Sequence, residues 1–158
     1  GNAVKFANAN FRQPNLQYVQ GNAEAMPFAD NSFDVVINVE SCHAYGSVPN
    51  FLGEVRRVLR PGGALVLTDM RGEPGLKLLR QQLHESGMTV LEETDITQNV
   101  VAAIETEEPV KKERIRRLVP KWLVPAFEEF AGVKNSAIHR DLNNRDLIYC
   151  RWKLQKAG

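Results

Sequence analysis

A chain of 158 residues is long enough to bury a real core and points to one domain, residues 1–158. Hydrophobic residues make up 43% and charged residues 25%, ordinary for a soluble globular protein, and a net charge of +1 argues against a nucleic-acid partner. No apolar run nears membrane-spanning length, no signal peptide is visible, and Cys42 and Cys150 stand far apart without metal-type spacing. The expectation is a cytoplasmic protein with reduced thiols, no metal and no transmembrane segment.

In chain order, Val4, Ala7 and Phe11 share a face at i, i+3 and i+7 and predict a helix over 2–12, ended by Pro14-Asn15. Leu16 to Val19 predicts a short strand, and Gly21 to Ser32 a loop. Phe33 to Val39 is an apolar, β-branched run after the turn residues Asp30-Asn31-Ser32, and it predicts a strand buried on both faces. Phe51, Leu52, Val55, Val58 and Leu59 recur at helical spacing, and Pro61-Gly62-Gly63 stops that helix. Ala64 to Thr68 predicts a second buried strand, which makes a strand–helix–strand unit. Glu73 to Ser86 reads as an amphipathic helix with Leu76, Leu79 and Leu83 inward and Gly87 as its cap. Met88 to Ile96 reads as a strand, and Thr97 to Glu105, Pro109 to Leu118 and Val124 to Ala131 as helices broken at Pro120 and Pro125. Asp146 to Leu154 alternates and predicts a final strand with one polar-tending face.

Three segments carry a resemblance. Gly21-Asn22-Ala23-Glu24-Ala25-Met26-Pro27-Phe28, Asp30-Asn31-Ser32-Phe33-Asp34-Val35-Val36 and Glu54-Val55-Arg56-Arg57-Val58-Leu59-Arg60-Pro61-Gly62-Gly63 resemble the middle of a class I S-adenosylmethionine-dependent methyltransferase. Asn38-Val39-Glu40-Ser41-Cys42-His43-Ala44-Tyr45 is similar to the branch acting on small molecules and lipids, such as phthiotriol and sterol-type methyltransferases. The resemblance implies an α/β, Rossmann-like sheet of order 3-2-1-4-5-7-6 with strand 7 antiparallel. It aligns this chain with strands 3 to 7, incomplete at the amino end, because no Gly-x-Gly loop precedes Phe33. It also implies a helical lid over 97–145, inserted between strands 6 and 7.

For the site, the resemblance implies S-adenosylmethionine as cofactor, held by Gly21, Asn22, Ala23 and Met26 and by Asn38, Val39 and Glu40 at the end of strand 4. Asn22 can offer a carbonyl oxygen to the adenine amino group, or serve only as a turn residue. A carboxylate at Glu40 can favour the sulfonium, or lie in water. His43 is the candidate general base, since an imidazole is available to take a proton near neutral pH, and a binding or structural role stays open beside it. Tyr45 is a candidate to orient the substrate. His84 reads as solvated, and His139 as a loop residue over the pocket or on the surface. The basic run Lys111 to Arg117 reads as a solvated helix face or as a contact for an anionic substrate or membrane surface.

Two functions follow. One is methyl transfer to an oxygen, nitrogen or carbon of a small or lipid-like acceptor, with release of S-adenosylhomocysteine. The other is a non-catalytic fragment or subunit that completes its sheet with a partner. A dinucleotide-dependent oxidoreductase lacks its glycine fingerprint. Without strands 1 and 2 the Phe33–Val39 edge is bare, so a cover is expected: Leu16 to Val19 beside it, the same edge of a second copy in a homo-oligomer, or an associated amino-terminal piece.

Overall fold

The structure, a computed structural model, describes residues 2–158. A strand over Phe33–Val39 (β1) runs parallel to one over Leu59–Arg71 (β2), and the helix Val48–Val58 (α2) connects them. Ser47 opens α2 by accepting the Asn50 N–H at 3.2 Å, with Pro49 in the first turn where its missing N–H costs nothing. The last strand, Ile148–Gln155 (β4), lies between β2 and Thr89–Asp95 (β3) and is antiparallel to both, so the mixed sheet has the order β1-β2-β4-β3. Gly63 makes the β1–β2 approach possible: a Cβ there would meet the Asp34 carbonyl at 3.0 Å and the Arg60 carbonyl at 2.9 Å.

One face of the sheet carries the core. Phe51, Leu52 and Val55 of α2 and Leu76, Leu79 and Leu83 of the helix Glu73–Glu85 (α3) pack on it, against Leu65, Leu67, Trp152 and Leu154. The other face is covered toward one end only, where Val101, Leu142 and Tyr149 form a smaller cluster.

Several expectations are corrected. Leu16 to Val19 is not a strand, because Tyr18 spends its N–H and carbonyl on the Asn8 side chain of the first helix, Asn2–Asn10 (α1), at 3.3 and 3.0 Å. Among the described residues no strand precedes β1. β1 is not buried on both faces: Val35, Ile37 and Val39 are 51, 69 and 61% exposed. The two helices expected on either side of residues 106–108 are one, Thr97–Leu118 (α4), with Pro109 inside it. Its ring removes the N–H that the Glu105 carbonyl would accept. Side-chain ties on both sides of the proline, Glu105 to Lys134 at 3.2 Å and Lys111 to the Ala131 carbonyl at 3.1 Å, hold α4 to the segments that follow. Pro125 does not break a helix but begins one, in the first turn of Val124–Phe130 (α5). His139, expected in a loop, lies in the helix Ala137–Asn144 (α6), with Ser136 as its cap. His139 is therefore a buried helical residue, 5% exposed and 3.3 Å from Glu105, not a surface one. No helix among the described residues is long and apolar enough to cross a membrane.

Candidate active site

The carboxyl ends of β1 and β2 carry Asn38, Val39, Glu40, His43 and Tyr45. Glu40 follows β1, its N–H bonds the Thr68 carbonyl at 2.9 Å, and its φ of 47° turns the chain sharply out of the sheet. A short 3-10 turn, Cys42–Ala44, then runs under the end of β2. There it meets Asp69, a carboxylate with no exposed surface, which continues the inward phase of Leu65 and Leu67.

Asp69 gathers donors on both oxygens. The His43 ring places Nδ1 2.8 Å from Oδ1, which also accepts the Met70 N–H at 2.9 Å. Oδ2 accepts from the Cys42 thiol at 2.7 Å and from the Arg71 guanidinium at 3.0 Å. A carboxylate only accepts, so Nδ1 carries the proton of that hydrogen bond, and in the neutral ring the lone pair lies on Nε2. The His43 side chain is 41% exposed, so its outer edge is open to a ligand. Burial pushes the Cys42 thiol up to about 12, and the hydrogen bond to Asp69 adds to the shift, so Cys42 is a proton donor here rather than a nucleophile.

Two clefts flank this end of the sheet. One, of about 270 Å³, is bordered by His43, Tyr45, Arg71 and Leu78. The second, of about 260 Å³, is bordered by Glu40, Met70 and Tyr149 below and by Val100, Ile104 and Phe130 of the later helices. His43 and Glu40 thus border different clefts, on either side of β2. The Glu40 carboxylate accepts from the Tyr149 hydroxyl at 3.0 Å, and burial with the nearby carboxylate pushes that hydroxyl up to about 12. The Tyr45 hydroxyl accepts from the Asn38 amide at 2.8 Å and lies 3.1 Å from Ser41 Oγ, and its ring meets Phe51 edge-on, so this side chain is engaged in holding the turn. Asn38 is 7% exposed, and its Oδ1 is buried without a partner. The Val39 side chain faces outward.

The loop 21–32 is fastened to α2. Arg57 donates to Glu54, Asp30 and the carbonyls of Met26 and Phe28, while Glu54 accepts the Met26 N–H at 2.6 Å. Glu24 accepts the Gly46 N–H at 2.9 Å and so ties this loop to the turn after His43. Ala23 and Met26 pack with Tyr45 against the core. Asn22 is exposed and accepts the Glu24 N–H at 3.0 Å, an Asx turn that leaves one lone pair of its oxygen free. A Cβ on Gly21 would meet the Pro27 ring at 3.0 Å.

Asp69, Arg71 and Tyr149 escaped the sequence reading. The signal was present for the first two: a carboxylate and a guanidinium prolong the inward phase of an otherwise apolar strand. Tyr149 stood on the face read as polar-tending, with nothing local to pair it with Glu40.

The chain is similar to known proteins over most of its length. Residues 1–67 match the model of a methyltransferase domain. The chain is 34% identical over 153 residues to the phthiotriol/phenolphthiotriol dimycocerosates methyltransferase of Mycobacterium leprae, covering 97% of this chain and 57% of that protein. It is 34% identical over 133 residues to the fatty-acid O-methyltransferase of Mycolicibacterium smegmatis, covering 84% of this chain and 48% of that one. The chain spans about half the length of the curated relatives it matches. Its fold is shared with the [4+2]-cyclase SpnF, at a TM-score of 0.69 and 19% identity over 98% of this chain and 62% of that one. The O-methyltransferase of a Brevibacillus brevis trans-AT polyketide multienzyme, solved with S-adenosyl-L-homocysteine, gives 0.63 and 17% over 99% and 53%. Through residues 1–67 and through relatives aligned over most of its length, the chain is similar to methyltransferases.

Proposed function

We propose that this chain belongs to an enzyme that methylates a hydroxyl of a lipid-like acceptor with S-adenosylmethionine and releases S-adenosylhomocysteine. The observation that carries this reading is the His43–Asp69 pair at 2.8 Å, with a buried carboxylate on one edge of the ring and an open edge opposite. Asp69 holds the tautomer in which Nε2 is the base, and Cys42 and Arg71 fix the carboxylate in turn. His43 takes the proton of the acceptor hydroxyl as that oxygen gains the methyl group. The bound cofactor supplies the methyl on a sulfonium, already activated for in-line displacement, so alignment and water exclusion do most of the remaining work.

The residues present fit such a cofactor in one testable respect: Asn38 Oδ1 is a buried acceptor without a donor. Asn38, Val39 and Glu40 at the β1 end, with Gly21, Asn22, Ala23 and Met26 of the fastened loop, are the residues we propose hold it. Glu40 and Tyr45 would serve as positioning residues, each through its hydrogen bonds to a neighbour. We take 97–145 as a lid over the acceptor. The acceptor's alkyl chain suits the cleft between Met70, Tyr149 and the apolar side chains of Val100, Ile104 and Phe130, from which its hydroxyl would have to reach around the carboxyl end of β2 to the His43 cleft, and the names of the relatives support a lipid-like acceptor. The bare edge and exposed apolar face of β1 support pairing with a second copy or with an amino-terminal part of the protein. Two buried free thiols suit a reducing, cytoplasmic setting.

The test is His43→Ala in the intact enzyme. Turnover should fall about 10²- to 10⁴-fold while cofactor affinity holds. Turnover near wild type would assign His43 to binding or structure and remove the base from this mechanism.

A further inference from the structure

Between Val110 and Phe130 the chain forms a helical hairpin: the second half of α4, a 3-10 turn at Lys121–Leu123, and α5. It exposes large apolar side chains in close sequence. Val110 is 60%, Leu118 71%, Trp122 78% and Phe130 91% exposed. Such surface is ordinary when scattered and informative when gathered.

Cations are interleaved with it. Residues 111–121 hold six, with Glu113 as the one carboxylate among them. Lys112 pairs with Glu108, Arg116 lies near Glu128, and Lys111 bonds a carbonyl. Arg114, Arg117 and Lys121 have no carboxylate partner among the described residues. Val110, Arg114, Arg117 and Leu118 wall one groove together with Glu113, as spacings of four, seven and eight along a helix require.

We propose that this hairpin is a docking surface for an anionic phospholipid bilayer. It lies in the interface with Leu118 and Trp122 at the acyl boundary and Arg114, Arg117 and Lys121 on lipid phosphates. The mixture selects the partner. A nucleic acid would use the cations but gain nothing from Leu118, Val110 or Phe130. A second copy facing this surface symmetrically would set unpaired cations against their like. An anionic bilayer satisfies both parts, and tryptophan favours that interface. Lys111 and Phe130 also border the cleft assigned to the acceptor, so docking would turn its mouth toward the lipid. That last link rests on the methyl-transfer reading, while the docking itself does not.

The test needs no activity. The intact protein is mixed with vesicles of phosphatidylcholine alone, or of phosphatidylcholine with phosphatidylglycerol, and followed by flotation and tryptophan emission. Trp152 is 1% exposed, so a change in emission reports Trp122. Flotation with the anionic vesicles only, weakened by salt, and a blue shift quenched by brominated lipid are expected. The Arg114→Glu/Arg117→Glu double variant should lose at least about tenfold in partitioning, and Trp122→Ser should weaken binding with its far-UV spectrum unchanged. Equal binding to neutral vesicles, binding without an emission change, a double variant that binds as wild type, or binding to a duplex oligonucleotide but not to vesicles would each overturn the proposal.

Discussion

Glu54 sits one turn before Arg57 on α2, and the two hold the loop 21–32 against the helix. The Arg57 hydrogen bonds, with the Met26 N–H behind them, bring the Glu54 carboxyl down from 4.5 to about 2. Because the folded value lies below the unfolded one, the charged form stabilises the fold above pH 4.5, and that contribution is lost as pH falls from there toward about 2. Glu54→Gln should therefore lower the melting temperature at neutral pH, with the gap to wild type closing over that window. Melting curves from pH 7 downward check this, and a gap independent of pH would mean that packing rather than charge is at stake. The same attention to pairs separates His43 from the other histidines. His84 is exposed, as its polar neighbours suggested, and His139 is buried against Glu105 and Asn143, away from the His43–Asp69 pair.

Among the elements, β1 has the least conventional setting. Val36 and Asn38 turn toward the core, while Val35, Ile37 and Val39 face out. Its second edge pairs with no strand among the described residues, and no proline or lysine guards it. Burying such an edge without partners would cost about 1–3 kcal/mol per unpaired group. We expect another strand to cover it in the assembled protein. Amide exchange is then slow throughout Val35 to Val39, including the amides that do not bond β2. Free exchange of those amides in a strict monomer with the rest of the sheet protected would show the edge to be open. The helices after β3 make a contrasting case: α4 runs through Pro109, with side-chain ties to the following segments on both sides of it.

For the whole molecule, the sheet is packed fully on one face and at one end of the other, and the chain spans about half of its curated relatives. Before Gly46 the only glycines are Gly1 and Gly21, so residues 1–158 contain no Gly-x-Gly run ahead of β1 to let backbone approach a cofactor closely. These residues alone should bind S-adenosylmethionine weakly, with no saturation at micromolar concentrations in a calorimetric titration. A micromolar constant, about −8 kcal/mol, would show that Asn22, Asn38 and Glu40 suffice.

Sequence pattern determined β1 and α3 to within about one residue and α2 and β4 to within about three, because the contrast between buried and exposed positions is written at intervals of two or of three and four. Pro61-Gly62-Gly63 does not stop α2, which has already ended at Val58; those residues lie inside β2, which begins at Leu59. The Gly21–Gly63 pattern and its spacing carried the resemblance, and the loop after the first strand carried His43. The tertiary structure alone decided what lies across from those residues. Asp69 reaches His43 from 26 positions away, and Tyr149 reaches Glu40 from 109, by parallel and antiparallel register that no local pattern records. It also decided that β1 is covered on one face only, since burial depends on which elements arrive from elsewhere. Ala137 to Asn144 did carry local helix signals, the Ser136 cap and an amphipathic pattern, and what the tertiary structure decided is that Leu142 and His139 meet α4 and β4 on its buried side.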